Sequence, residues 1–438
     1  MTLDDKTLKQ RVRQKASVLM ETRHNRLPEE TLRNYVSRFI SQKERYLGVI
    51  QQEGSPLYLF EKQVLEARAQ SFREAFQSLF PETSFYYAVK SNHHPEVAAH
   101  LAAKGFGLDV SSGLELELGL KTGCNDLIFS GPGKTEQELS LAVSHADRVV
   151  ILMDSLLERS RLERVSAQAD KRVRAGVRIC VNDTGLWRKF GIPLKSIFRF
   201  LEESDAFPHV RVEGLQFHTS WNLSPDQQCA FIEKVGAEMG SWPRRVRERL
   251  SFIDIGGGYW PEMGEWLQGS GTPQGALLNH LGIESGNATT HYFSPSRPIS
   301  DFAGQLSRAI HQHIFPHATV RVCFEPGRWI VNDAMHLLFT VLDKKGEDLV
   351  ITDAGTNAVG WERFETDYFP VINLSRPALT EKACLITGAL CTPHDIWGYG
   401  YFGDGIEPGD LLMVPTQGAY TYSLRQNFIK PLPRAVFI

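Results

Sequence analysis

In FYYAVKSN, residues 85–92, a single lysine, Lys90, closes an apolar aromatic run just before a polar turn. Further on, IDIGGGY sets Gly256, Gly257 and Gly258 in a row, and consecutive glycines leave backbone N–H groups able to approach an anion closely. In FEPGRW, Pro326 and Gly327 make a turn that holds Glu325 and Arg328 in fixed relation. Asp109 and His218 each close another β-rich run. Singly, each feature has an ordinary reading: a solvated loop lysine, a tight turn, an ion pair between residues three apart. Together they suggest one chemistry. An amine that can form a Schiff base, a glycine-rich phosphate cradle, an arginine and a buried carboxylate are what pyridoxal 5'-phosphate needs from its protein. The carboxylate would keep the pyridine nitrogen protonated, which makes the ring a strong electron sink.

Such residues need a scaffold that gathers strand ends. From Ser84 onward eight β-rich runs alternate with amphipathic segments: SFYYAV, FGLDV, DLIFSG, RVVILMD, RAGVRIC, VRVEGLQFH, RLSFIDIGGG and ATVRVCFEP. The intervening segments, such as HPEVAAHLAAKG and SLLERSRLERVSAQ, carry apolar residues at helical spacing. Alternating βα units imply a parallel sheet, and eight of them over roughly 240 residues fit a closed (β/α)8 TIM barrel. An open doubly wound sheet is the alternative. In a barrel the residues named above fall at the C-terminal strand ends, where active sites lie. After Arg328 the runs AMHLLFTVLDKKG, DLVITDAG, ACLITGAL, DLLMVP and PRAVFI follow without helices between them and predict a mostly antiparallel β domain. The expected division is an N-terminal helical extension over 1–53, a barrel over 54–328 and a β domain over 329–438, with 54–60 an edge strand of the β domain. Residues 260 to 300, rich in Gly, Pro and Ser, read as a long insertion after the seventh strand.

With 438 residues, 42% of them hydrophobic, the chain can bury a large core. The net charge of −3 comes from 48 basic and 51 acidic residues that are interspersed, so no basic stripe points to nucleic acid. Six scattered cysteines without metal-type spacing point to a reduced, cytoplasmic protein with no metal site. No run approaches the ~20 apolar residues that span a bilayer.

The ordered motifs also resemble a known family. FYYAVKSN is similar to the AVKAN signature of the fold-type III, barrel-type pyridoxal-phosphate decarboxylases, which include diaminopimelate, ornithine and arginine decarboxylases. GFGLDVSSGLEL, FSGPGKTEQEL, KFGI, GLQFH, DIGGGY, EPGR, Cys391 with Asp395 four residues on, and GAY at 418–420 follow in the family's order. The resemblance runs from about Ser55 to the C-terminus. It implies that Lys90 holds the cofactor as a Schiff base, with Asp109 among the cofactor-binding residues. It also implies that His218 stacks on the ring and that Glu325 pairs with the pyridine nitrogen. Arg328, Gly256, Gly257, Gly258 and Tyr420 would surround the phosphate. Cys391 would protonate the product carbanion after a quinonoid intermediate. In the family this cysteine reaches the partner's site, which implies a head-to-tail homodimer acting on an amino-acid substrate.

Departures from the family pattern concern the substrate. In the family the histidine is commonly followed by one residue and then Gly-Ser, with the serine on the phosphate; this chain reads His218-Thr219-Ser220-Trp221, so Ser220 or Thr219 would substitute. Thr392 and Pro393 replace the acidic residue that usually follows the cysteine, which weakens a site for a distal cation. Asp395 keeps one acid there, and Arg363 and Tyr368 stand as replacements for the arginine and tyrosine of diaminopimelate enzymes. This pattern predicts decarboxylation of an unusual amino acid in a specialised biosynthetic pathway. The alternatives are a pyridoxal-phosphate-dependent racemase and a non-catalytic regulator of a related enzyme.

Overall fold

In the computed structural model, which describes residues 5–22, 24–283, 289–360 and 363–438, the eight β-rich runs form eight parallel strands. They are Thr83–Ala88, Gly107–Val110, Leu127–Phe129, Val149–Met153, Val173–Cys180, Val210–Gln216, Phe252–Asp254 and Arg321–Phe324. The last pairs with the first, Phe324 opposite Phe85, so the sheet closes into a TIM-type barrel and the open-sheet alternative falls. Val149–Met153 is buried at every position, as expected of a parallel strand covered on both faces. Helices start where short polar caps follow the strands. Ser112 and Ser155 accept from the backbone N–H groups of Glu115 and Glu158, and Thr135 with Glu138 forms a full capping box. These caps stop each strand at the rim where the site is built.

The second sheet has eight strands. In spatial order they are Leu349–Thr352, Glu381–Thr387, Ile396–Phe402, Ile372–Asn373, Leu411–Val414, Met335–Lys345, Leu57–Phe60 and Arg434–Phe437. Most pairs are antiparallel, with three parallel ones. Leu57–Phe60 is internal and not an edge strand, because the C-terminal strand returns to pair beside it and takes the edge. Its side chains alternate across the sheet. Tyr58 and Phe60 join the large core shared with the barrel, while Leu57 and Leu59 face a second core. Ile396–Phe402, IWGYGYF, escaped the sequence reading because two glycines dilute its strand signal.

Of the three N-terminal helices, Asp5–Glu21, Glu29–Ile40 and Lys43–Glu53, the second and third supply the second core, while the apolar side chains Leu8, Val12, Val18 and Met20 of the first are exposed. Leu32, Tyr35, Val36 and Phe39, at helical spacing, are all buried against Leu338, Ile372, Phe402 and Met413 of the sheet and Trp266 of the insertion. The insertion is structured by Glu265–Leu267 paired with Tyr292–Ser294 and by the helix Pro273–His280. A buried acid, Glu61, pins the extension: it accepts from the Tyr46 hydroxyl (2.8 Å), His336 Nε2 (3.0 Å) and Arg45 (3.1 Å). Burial opposes its charge, but His336, Tyr46 and Arg45 outweigh that and hold its pKa at about 2. A depressed carboxylate stabilises the fold fully above its unfolded value of about 4.3. That contribution is lost as the pH falls toward about 2. Glu61→Gln is therefore expected to cost about 2 kcal/mol near neutral pH. In denaturant melts, the gap to the wild type should narrow as the pH is lowered through that window.

Candidate active site

Lys90, His218, Ser220, Glu325, Arg328 and Tyr420 line one cavity of about 280 Å³ at the C-terminal ends of the barrel strands. Lys90 lies in the short turn Val89–Ser91 directly after the first strand. Its Nζ donates to Asp109 Oδ2 at 2.7 Å, and Asp109 Oδ1 accepts from Ser130 Oγ at 2.5 Å. Asp109 is fully buried and in register with Ala88 on the neighbouring strand. Burial disfavours the Lys90 ammonium, but Asp109 and Glu325 more than compensate and raise its pKa. Burial and the Glu325 charge push the Asp109 carboxyl up as well. A proton is thus held between the two groups.

Glu325, buried at the end of the eighth strand, accepts from Gln216 Nε2 at 3.3 Å and lies 3.6 Å from His218 Nδ1. Burial works against its charge, but the Lys90 and Arg178 cations hold its pKa below the ordinary carboxyl range. His218 Nδ1 accepts from the Gly257 N–H at 3.2 Å, and its Nε2 is 3.4 Å from Ser220 Oγ. An Nδ1 that accepts carries no hydrogen, so the neutral ring has its proton on Nε2. Burial lowers the pKa of His218 and favours that neutral form.

The glycine turn differs from the open cradle read in the sequence. The Gly256 N–H goes to Asp254 Oδ1 at 2.8 Å and the Gly257 N–H to His218, while Gly258 lines the cavity. The turn still requires glycine. Gly258 has φ +84°, and a Cβ on Gly257 would run into the Glu325 carbonyl oxygen. Asn222, absent from the sequence reading, clamps the turn by donating from Nδ2 to the Gly257 carbonyl at 2.9 Å. The Arg328 guanidinium lies over the Trp260 ring at 4.2 Å and the Tyr420 ring at 5.0 Å. Tyr420 donates its backbone N–H to the Ser91 carbonyl at 2.8 Å, which ties its loop to the turn of Lys90. Ser220, and not Thr219, faces this cavity. Trp221 is 61% exposed at the rim, and its Nε1 donates to Glu265 of the insertion at 3.1 Å.

Other expected residues stand elsewhere. Cys391 is exposed on a loop of the β domain and does not line the Lys90 cavity, and neither does Thr392. Asp395 organises its own loop. Its Oδ1 accepts from the Thr356 N–H (2.7 Å) and hydroxyl (3.0 Å), and its Oδ2 accepts from the Leu390 N–H (2.7 Å). Tyr368 is likewise structural. It is buried, its ring stacks on His291 at 3.4 Å, and its hydroxyl donates to Glu381 at 3.0 Å. The Arg363 side chain lies outside the described residues.

The cavity suits pyridoxal phosphate on its own terms. It offers a lysine amine, an ionised carboxylate held low in a buried setting, a guanidinium with no carboxylate hydrogen bond described, and a glycine at the wall where a side chain would intrude. Fold and site together define a barrel-type pyridoxal-phosphate enzyme. The chain belongs to the pyridoxal-dependent decarboxylases, whose pyridoxal binding domain matches residues 63–332. It is 24% identical over 393 residues to the diaminopimelate decarboxylase of Aquifex aeolicus, a match covering 86% of this chain and 84% of that one. It is 26% identical over 404 residues to the L-glutamyl-(BtrI acyl-carrier protein) decarboxylase of Niallia circulans, covering 84% and 85%. The crystal structure of diaminopimelate decarboxylase from M. jannaschii shares the fold, with a TM-score of 0.75 at 22% identity over 89% of this chain and 88% of that one. Family membership makes the chain a carboxy-lyase and disfavours the racemase and regulator alternatives. Among the described residues, no helix is long and apolar enough to cross a membrane.

Proposed function

We propose that this enzyme removes the α-carboxylate of an amino acid whose distal end is not a free ammonium, in a specialised biosynthetic pathway, and that it works as a head-to-tail homodimer. The observation that carries this reading is Asp395, whose two oxygens are spent on Thr356 and Leu390 while Thr392 fills the neighbouring acidic position. The loop beside Cys391 thus has no free carboxylate there for a distal cation. A second cavity of about 690 Å³ adjoins the first at His218, Ser220 and Trp221 and extends to Trp187 and Lys234, with room for a longer side chain. The Niallia relative, named for an L-glutamyl group on a carrier protein, is consistent with a substrate beyond the simple diamino acids.

When bound, pyridoxal phosphate supplies the electron sink for the pair left by the departing carboxylate. Lys90 would hold it through Nζ after passing a proton to Asp109. Glu325 would keep a proton on the ring nitrogen, and the neutral His218 ring would lie against the ring face. Arg328, Ser220, Tyr420 and Gly258 would grip the phosphate and so fix the orientation of the group. Cys391 of a second copy would return the proton to the product carbon, which accounts for its exposure outside its own chain's cavity. Six free thiols suit the reducing cytoplasm.

Carbon dioxide release across a panel of L- and D-amino acids tests this reading. Acylated or distally carboxylated amino acids should exceed lysine, ornithine and diaminopimelate in kcat/KM by about tenfold or more. A free diamino acid as the best substrate refutes it, and Cα proton exchange without carbon dioxide release would restore the racemase.

A further inference from the structure

Three buried acids meet beneath the cavity, and one lacks any cation. Asp109 has Lys90, and Glu325 has Gln216 and the field of Lys90 and Arg178. Asp254, at the end of the seventh strand, is completely buried. Its Oδ1 accepts from the Gly256 N–H at 2.8 Å, but its Oδ2 has no hydrogen-bond partner among the described residues. In register beside it on the sixth strand is Gln216, whose Oε1 is also buried and unpartnered. Two acceptor oxygens cannot satisfy each other, and buried polar atoms are seldom left unpaired. Turning the Gln216 amide over would not help, since it would aim the carbonyl oxygen at the ionised Glu325 in place of Nε2. One hydrogen on Asp254 Oδ2, directed to the in-register Gln216, would satisfy both orphans.

We propose that Asp254 is a neutral carboxylic acid that donates to Gln216 Oε1, a positioning residue that aims the Gln216 amide at Glu325 while its other oxygen holds Gly256. Burial, the Glu325 and Asp109 charges and a side-chain contact with Glu325 all disfavour a carboxylate there, and the Asp254 pKa is raised well above the ordinary carboxyl range. One side chain thereby links the two ends of the cofactor site: the carboxylate for the ring nitrogen and the glycine turn beside the phosphate. The inference rests on the family's cofactor and is independent of which amino acid is the substrate.

The test compares Asp254→Asn with Asp254→Ala. Asparagine keeps an acceptor for Gly256 and a donor for Gln216, so pyridoxal phosphate titrated into apo protein, followed by tryptophan fluorescence, should bind within about threefold of wild type. Alanine removes both bonds and should weaken binding about tenfold or more. Infrared difference spectra of apo wild type against Asp254→Asn, at neutral pH, should show a protonated carboxyl stretch that the variant lacks. If the alanine variant does not fold, the asparagine variant and the spectrum decide. Weakening by asparagine equal to that by alanine, or a carboxylate band in place of the acid band, overturns the proposal.

Discussion

Lys90→Ala is expected to lower carbon dioxide release by at least about 10³-fold and to abolish the visible absorbance of the lysine–cofactor linkage, while the chain stays folded. Two roles are lost at once, the covalent anchor and the proton carrier paired with Asp109. The fold should survive because the Lys90 side chain is 32% exposed to the cavity and its one described hydrogen bond is to Asp109. Asp109, left without its cation, keeps the Ser130 hydroxyl and can take up a proton, as its raised pKa favours. Circular dichroism near wild type alongside lost turnover supports the assignment. Turnover within tenfold of wild type would remove Lys90 from the reaction.

Mixing Lys90→Ala with Cys391→Ala protein should restore activity that neither shows alone. Cys391→Ala by itself removes the proposed proton donor, a loss of about 10² to 10⁴-fold. If each site combines Lys90 of one copy with Cys391 of the other, a mixed dimer carries one site with both residues intact and one with neither. Equal mixing with free exchange then recovers about one quarter of the wild-type rate. Should the two residues serve the same chain's site, the mixture stays as inactive as its parts. The structure makes this result decisive, since Cys391 is exposed away from the cavity of its own Lys90.

The barrel was legible because each βα unit is a local pattern: six of the eight strands fall within the runs read from the sequence, and the other two start one residue earlier, at Thr83 and Val173. Lys90, His218, Glu325 and Arg328 were legible for the same reason, since each terminates such a run, and they do share one cavity. What the sequence could not show is non-local. For Asp395 the sequence offers an acid beside Cys391, but does not show that Thr356, 39 residues away in the chain, donates to it. For Tyr368 the sequence offers a tyrosine, but not the stacking of its ring against His291 and Trp266. Leu57–Phe60 looked like an edge because nothing near it announces the arrival of the final strand. Asp254 was in plain view within DIGGGY, yet its significance depends on Gln216, which only strand register brings beside it.

The amino-acid sequence alone determined the fold class and the cofactor and put Lys90 at a strand end, because periodicity and strand-end motifs act over a few residues and recur in fixed order. Tertiary structure decided what each polar group has left to offer. It committed Asp395 and Tyr368 to holding the chain together, gave two of the three glycine N–H groups to Asp254 and His218, and faced Ser220 to the cavity. The physical reason is saturation: a donor or acceptor is available for chemistry only where no distant part of the chain has already claimed it.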